Sequence, residues 1–182
     1  MSALYGTYAR SELAFERGQG MRLYDQHGKD YLDFHSGIAV NALGHGDEHI
    51  TTALKSAADK VWHTSNVFTI PEQERLGQRL VEATFAESCF FTNSGAEAVE
   101  CAIKTARHYF WAKGEVDRYE IIAFTGSFHG RTMGTIAAGG NPGYLEGFGP
   151  ALPGFKHTAP GNLDAVRALI GPQTCAILIE TV

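Results

Sequence analysis

Two short clusters carry residue types that could serve a ligand, the first of them an anion: Asn93-Ser94-Gly95-Ala96, and Ser127-Phe128-His129-Gly130-Arg131. The first stands between an apolar stretch and a run with helical spacing. A helix N-terminus leaves its first backbone N–H groups without intrahelical partners and carries roughly +0.5 of an elementary charge. There Ser94 offers a hydroxyl, Gly95 lets the backbone approach closely and Ala96 keeps the space open, an arrangement that suits a phosphate. The same residues suit a plain capping box, with Ser94 as N-cap and Glu97 three positions on, and the local spacing leaves both readings open. Neither the Walker pattern nor the dinucleotide glycine fingerprint occurs, which argues against a triphosphate or NAD. The second cluster adds an aromatic ring and an arginine. A core phenylalanine and a structural ion pair are the competing fates of Phe128 and Arg131.

Other candidates are weaker. His45 and His49 stand four apart with acids between them, but they lack a third ligand and the His-Glu-x-x-His order, so no metal site is expected. Cys89, Cys101 and Cys175 have neither metal-finger nor redox spacing, which points to a reducing, cytoplasmic setting. A net charge of −5 and a pI near 5.9 provide no basic excess, so a small molecule is expected as partner rather than nucleic acid. No basic-then-apolar leader and no run of membrane-span length is present, and the chain reads as soluble. At 182 residues, 44% hydrophobic and 19% charged, it is long enough for one domain or one and a part.

The elements that must position these clusters follow from periodicity and punctuation. Arg22 to Asp25, a turn at His27-Gly28-Lys29 and Tyr31 to Phe34 predict a hairpin. The tract from Ser36 to His49 is too apolar for a linker and too rich in glycine for a long helix, and reads as an ordered loop. Helices are predicted over 50–61, from Pro71 to near Thr84, over 96–113 with a stop at Gly114, and over 163–170 after Asn162. Strands are predicted at 87–92 (short and buried), 121–125 and 176–182, with a long loop over 139–154. Apolar strands alternating with amphipathic helices imply an α/β fold with a mostly parallel sheet. Two parallel strands would then carry both clusters to one sheet edge. The apolar run 176–182 has neither a turn signal nor a covering helix after it, so the chain is expected to be the N-terminal fragment of a longer protein, or the ordered part of one.

The stretches "FHSGIAVNALGH", "HTSNVF", "NSGAEAVECAIKTARHYF", "FHGRTMGTIAAGGNP" and "AILIE" together resemble the class III aminotransferases, which use pyridoxal phosphate on the fold type I scaffold. The resemblance runs in order from about Gly20 to Val182. It implies that residues 1–50 are an N-terminal segment of the small domain and that 51–182 begin the cofactor-binding large domain, with helices on both faces of its sheet. It implies that Ser94, Gly95 and Ala96 cradle the cofactor phosphate, that Phe128 stacks on the pyridine ring, that His129 lines the site, that Arg131 grips a substrate carboxylate and that Glu180 is site-lining. The Schiff-base lysine, the acid that partners the pyridine nitrogen and a second substrate arginine are expected after Val182. No catalytic residue is therefore expected within the chain, which alone should be inactive; Lys104 matches an ordinary helix position.

Within the family, the subgroup acting on acylated ornithines matches best. This implies transfer of the δ-amino group of N2-acetylornithine to 2-oxoglutarate, giving glutamate, in arginine biosynthesis. Succinylornithine or another ω-amino acid is the alternative donor, and a non-catalytic phosphate-ligand-binding fragment the alternative class. The resemblance also implies a homodimer to which the loop 64–70 contributes. Two departures stand out: Gly46-Asp47-Glu48-His49 follows Gly44-His45 where the family has a small residue and then His-Pro, and Thr181 stands where proline is common.

Overall fold

In the computed structural model, which describes residues 3–181, the chain divides after Gln78 into two units. In the first, strands β1 (Phe15–Gln19), β2 (Arg22–Asp25) and β3 (Asp30–Leu32) form an antiparallel sheet in the order β1-β2-β3. The predicted hairpin is β2 and β3, with Leu23 opposite Tyr31. Its turn is built on Asp25, whose Oδ1 accepts the N–H groups of His27 and Lys29 at 2.9 and 3.0 Å. Strand β1 is not anticipated because Phe-Glu-Arg-Gly-Gln has one apolar residue and hence no alternation to detect. It is held by pairing and by the Arg17 guanidinium, 3.7 Å over the Tyr24 ring.

The glycine-rich tract is an ordered loop. Asp33 accepts the N–H groups of His35 and Ser36 through Oδ1 and lies 2.7 Å from His45 Nε2 through Oδ2. His45 and Gly20 exchange backbone hydrogen bonds at 2.8 Å. Gly44 (φ 79°) sits so close to this bridge that a Cβ would meet the Gly20 oxygen at 2.8 Å. Between the pinned ends a single turn, α1 (Ser36–Ala39), contains left-handed residues and is not a regular helix. Two amphipathic helices follow, α2 (Glu48–Ala58), capped by Asp47, and α3 (Pro71–Ala83).

The second unit is α/β. After α4 (Gly95–Ala112) come β4 (Glu120–Phe124), α5 (Met133–Gly139), α6 (Pro142–Leu145), β5 (Phe155–Thr158), α7 (Leu163–Leu169) and β6 (Thr174–Ile177). The sheet is parallel, in the order β5-β4-β6. Central β4 reads Glu-Ile-Ile-Ala-Phe, the near-continuous apolar run of a strand covered on both sides, and Ile121, Ile122 and Ala123 are almost wholly buried. Ile103 of α4 and Ala138 of α5 join Ile121 in the core, with Phe155 and Ala176 packed around them. Arg107 ties α4 to the sheet edge by donating to the carbonyls of Tyr119 and Pro153.

Three expectations are corrected. Residues 87–92 are not a buried strand: they belong to neither described sheet, and Phe90 is 75% exposed. A strand needs a hydrogen-bonded neighbour, and the sheet ends at its two flanking strands. The span 139–154 is not one loop, since it contains the capped turn of α6, and β5 follows it. The last predicted strand runs over 174–177 and makes one further ladder bond, from Leu178 N–H to the Ile122 carbonyl; Val182 lies outside the described residues. Much apolar surface stays open, including Trp62, Phe85 and Phe90.

Candidate functional site

At the start of α4, Ser94 is extended (φ −156°, ψ 163°) and its Oγ accepts the Glu97 N–H at 3.2 Å. Glu97 reaches back to accept the Asn93 N–H at 2.8 Å. The N-cap is thus realised, while the reciprocal bond goes to Asn93, one residue before the cap, and not to the Ser94 N–H of a capping box. The N–H groups of Gly95 and Ala96, first in the helix, have no intrahelical acceptor and stay available to an anion. A Cβ at Gly95 would meet nothing within 4 Å, so the approach is open.

The second cluster arrives from the C-terminal end of β4. Ser127 and His129 are buried while Phe128 between them is 49% exposed. Glu180, beyond β6, fixes this turn: its Oε2 accepts the Phe128 N–H at 2.9 Å. The loop then passes directly against the α4 N-terminus. A Cβ at Gly130 (φ 126°) would lie 2.7 Å from the Ala96 Cβ and 2.9 Å from Thr135 Oγ1. Only glycine fits, and the contact brings the clusters together even though 87–92 is not a strand. Arg131 follows on the exposed side.

Helix α5 locks this edge. Thr132 caps it by accepting the Thr135 N–H at 3.1 Å, and its hydroxyl donates to Glu100 of α4. Gly134 lets the Glu100 carboxylate approach, since a Cβ there would fall 2.6 Å from Oε1. Glu100 and Tyr144, whose ring meets that of Phe128, carry no signal of these roles in the sequence. Gly130 does, as the glycine inside the Phe-His-Gly-Arg stretch.

The electrostatics are asymmetric. His129 Nε2 is buried with no hydrogen-bond partner among the described residues. Burial holds the imidazole below its ordinary pKa, against an upward pull from the Glu180 carboxylate, with His157 adding to the lowering. A neutral imidazole, a carboxylate engaged with backbone, an open aromatic face and two helix-terminal N–H groups thus line one sheet edge. Such a set can seat a phosphorylated aromatic ligand. Lys104 is exposed along α4 and is not among these groups. No group of three or more His, Cys, Asp or Glu able to hold a metal occurs among the described residues.

Comparison with known proteins identifies what this edge resembles. The chain is 58% identical over 181 residues to the acetylornithine aminotransferase of Mesorhizobium japonicum, covering 100% of itself and 45% of that protein. It is 55% identical over 179 residues to the acetylornithine aminotransferase of Agrobacterium fabrum, covering 98% of itself and 45% of the relative. The chain therefore spans about 45% of the length of these curated relatives. Among solved structures, its fold is similar to an ornithine aminotransferase of Toxoplasma gondii, described as holding pyridoxal phosphate at partial occupancy in its active site. The TM-score there is 0.91 at 26% identity, over 97% of this chain and 42% of the other. The profile for Aminotransferase class-III matches residues 6–182, and the chain belongs to that family.

Proposed function

We propose that the protein to which these residues belong is a pyridoxal-phosphate-dependent aminotransferase that moves the δ-amino group of N2-acetylornithine to 2-oxoglutarate, forming glutamate in arginine biosynthesis. The observation that carries this reading is the 58% identity to an acetylornithine aminotransferase along the entire chain. The cofactor fits the residues present: the helix-terminal N–H groups at Gly95 and Ala96, approached by open space at Gly95, the half-exposed ring of Phe128, and the buried Nε2 of His129, which has no hydrogen-bond partner among the described residues. When bound, it supplies the electron sink that makes the proton on the amine-bearing carbon removable.

In this reading Ser94, Gly95 and Ala96 hold the phosphate by hydroxyl, N–H and helix dipole. Phe128 offers its face to the pyridine ring, a contact that excludes water from one side. His129, kept neutral, lines the site without adding a charge beside the ring. Arg131 binds a substrate carboxylate as a bidentate fork, and Glu180 sets the backbone of Phe128. Residues 1–50 belong to a small domain and 51–182 to the first part of the cofactor-binding domain. The working protein is a cytoplasmic homodimer whose lysine and pyridine-nitrogen acid lie after Val182.

The test is a steady-state assay of glutamate formation from N2-acetylornithine and 2-oxoglutarate. Turnover by the full-length protein is expected, with kcat/KM higher than for N2-succinylornithine. A preparation shown by intact mass to end at Val182 should give none. Absence of transfer from any ω-amine by the full-length protein would sink the proposal, and turnover by the 182-residue chain would sink the placement of the lysine.

A further inference from the structure

Phe128 is anchored at its backbone but not, by that anchor, at its ring. Its two neighbours are buried, Ser127 at 8% and His129 at 6% exposure, and its N–H is bound by Glu180. These contacts fix the Cα and leave χ1 and χ2 to be set by whatever touches the side chain. With 49% of its surface exposed, the ring has little core around it to do so. Tyr144 is its aromatic neighbour: the ring centroids are 6.3 Å apart and the planes cross at 81°. This is an edge-to-face geometry within the separation at which aromatic pairs attract.

The backbone of Tyr144 is held in place, while the residue is 45% exposed and its ring meets that of Phe128. Helix α5 ends at Gly140 in the left-handed conformation (φ 60°), which turns the chain back. Asn141 then caps the single turn of α6, accepting the Gly143 N–H at 3.0 Å through its side chain and the Tyr144 N–H at 3.1 Å through its carbonyl. The tyrosine backbone is thus fixed immediately after the buried helix whose first turn adjoins Gly130.

We propose that Tyr144 is a positioning residue: its ring, set perpendicular to that of Phe128, fixes the tilt of Phe128 and so presents the open surface of that ring to a planar aromatic ligand. The proposal rests on the functional reading above, in which that ligand is the pyridine ring of the cofactor.

The experiment uses the full-length protein with 4-fluorophenylalanine incorporated at position 128. It compares Tyr144→Phe, which keeps the ring, with Tyr144→Leu, which keeps apolar bulk without one, and with Tyr144→Ala. Two signals are read: the fluorine resonance without added cofactor, and the dissociation constant and induced circular dichroism of added pyridoxal phosphate. Both Leu and Ala are expected to shift the resonance, weaken cofactor binding roughly 3- to 10-fold, in line with the strength of a single aromatic pair, and reduce the dichroic band. Tyr144→Phe should preserve all three. An unmoved resonance in Tyr144→Leu overturns the contact, and a moved resonance with unchanged binding and dichroism overturns the positioning role. If the unsubstituted protein takes up no pyridoxal phosphate, the functional reading fails instead, and the fluorine signal alone decides whether Tyr144 orders the ring.

Discussion

Gly130 lies against Ala96 so closely that a Cβ on the glycine would fall 2.7 Å from the alanine Cβ and 3.0 Å from its Cα. This contact, rather than a shared strand ladder, joins the two loops of the candidate site. Gly130→Ala should therefore destabilise twice over. A positive φ (126°) is strained for any L-residue, and the added methyl has no room. Strain of about 1–3 kcal/mol and overpacking of about 1–3 kcal/mol suggest a total of about 2–6 kcal/mol. Gly126→Ala is the control: its φ is also positive (83°), but nothing lies within 4 Å of the new Cβ. Chemical denaturation should rank Gly130→Ala well below Gly126→Ala, and equal losses would remove the packing argument.

Ser94 has a capping role and a proposed anion-binding role, and two substitutions separate them. Ser94→Ala removes the acceptor of the Glu97 N–H and should cost about 1 kcal/mol of stability. Ser94→Asp keeps a capping oxygen and a favourable charge for the helix dipole, so it should be the more stable of the two. Its carboxylate, however, occupies the place proposed for a phosphate. Pyridoxal phosphate should consequently bind Ser94→Asp more weakly than Ser94→Ala, the reverse of the stability order. Matching orders from thermal unfolding and cofactor titration would mean that Ser94 only caps the helix.

How much of this was legible in the sequence depends on whether the signal is local. Helix α4 can be read because its caps, its apolar spacing and the stop at Gly114 (φ 83°) lie within or beside the element. The Arg22–Asp25 hairpin is readable for the same reason. Residues 87–92 fail because an apolar run specifies willingness to pair, not the presence of a neighbour. Strand β5, Phe-Lys-His-Thr, has a half-buried pattern with no alternation, so no period announces it. In the site, Ser94 to Ala96 and Phe128 to Arg131 are recognisable by type and order. The bond from Phe128 to Glu180 crosses 52 positions, and the carboxylate's acceptor role is visible only in three dimensions.

That long-range bond makes a distinct prediction. Glu180→Gln weakens and Glu180→Ala abolishes the acceptor for the Phe128 N–H, so amide exchange at Phe128 should accelerate in both, more in the alanine variant. The carboxylate also raises the His129 pKa against burial. Removing its charge should lower that pKa further, and an NMR titration of the His129 ring should move towards lower pH in either variant. Unchanged exchange and an unchanged titration would place Glu180 outside the machinery that sets this turn.

His129 also predicts the shape of stability against pH. Its folded-state pKa lies below the ordinary value of 6.5 because burial disfavours the imidazolium. The unfolded chain therefore binds the proton more readily than the folded one over the interval between the two values. Stability gained by keeping the ring neutral is complete above about pH 6.5 and is lost as pH falls through that interval towards the folded-state pKa. Asn is the informative replacement, since it keeps a polar side chain and cannot titrate. Melting temperatures taken from pH 7.5 down to 5.5 should fall less steeply for His129→Asn than for the unsubstituted protein, even if the variant starts lower. Parallel curves would show that His129 binds its proton equally well in the folded and unfolded chain, and the argument for a ring kept neutral by burial would be lost.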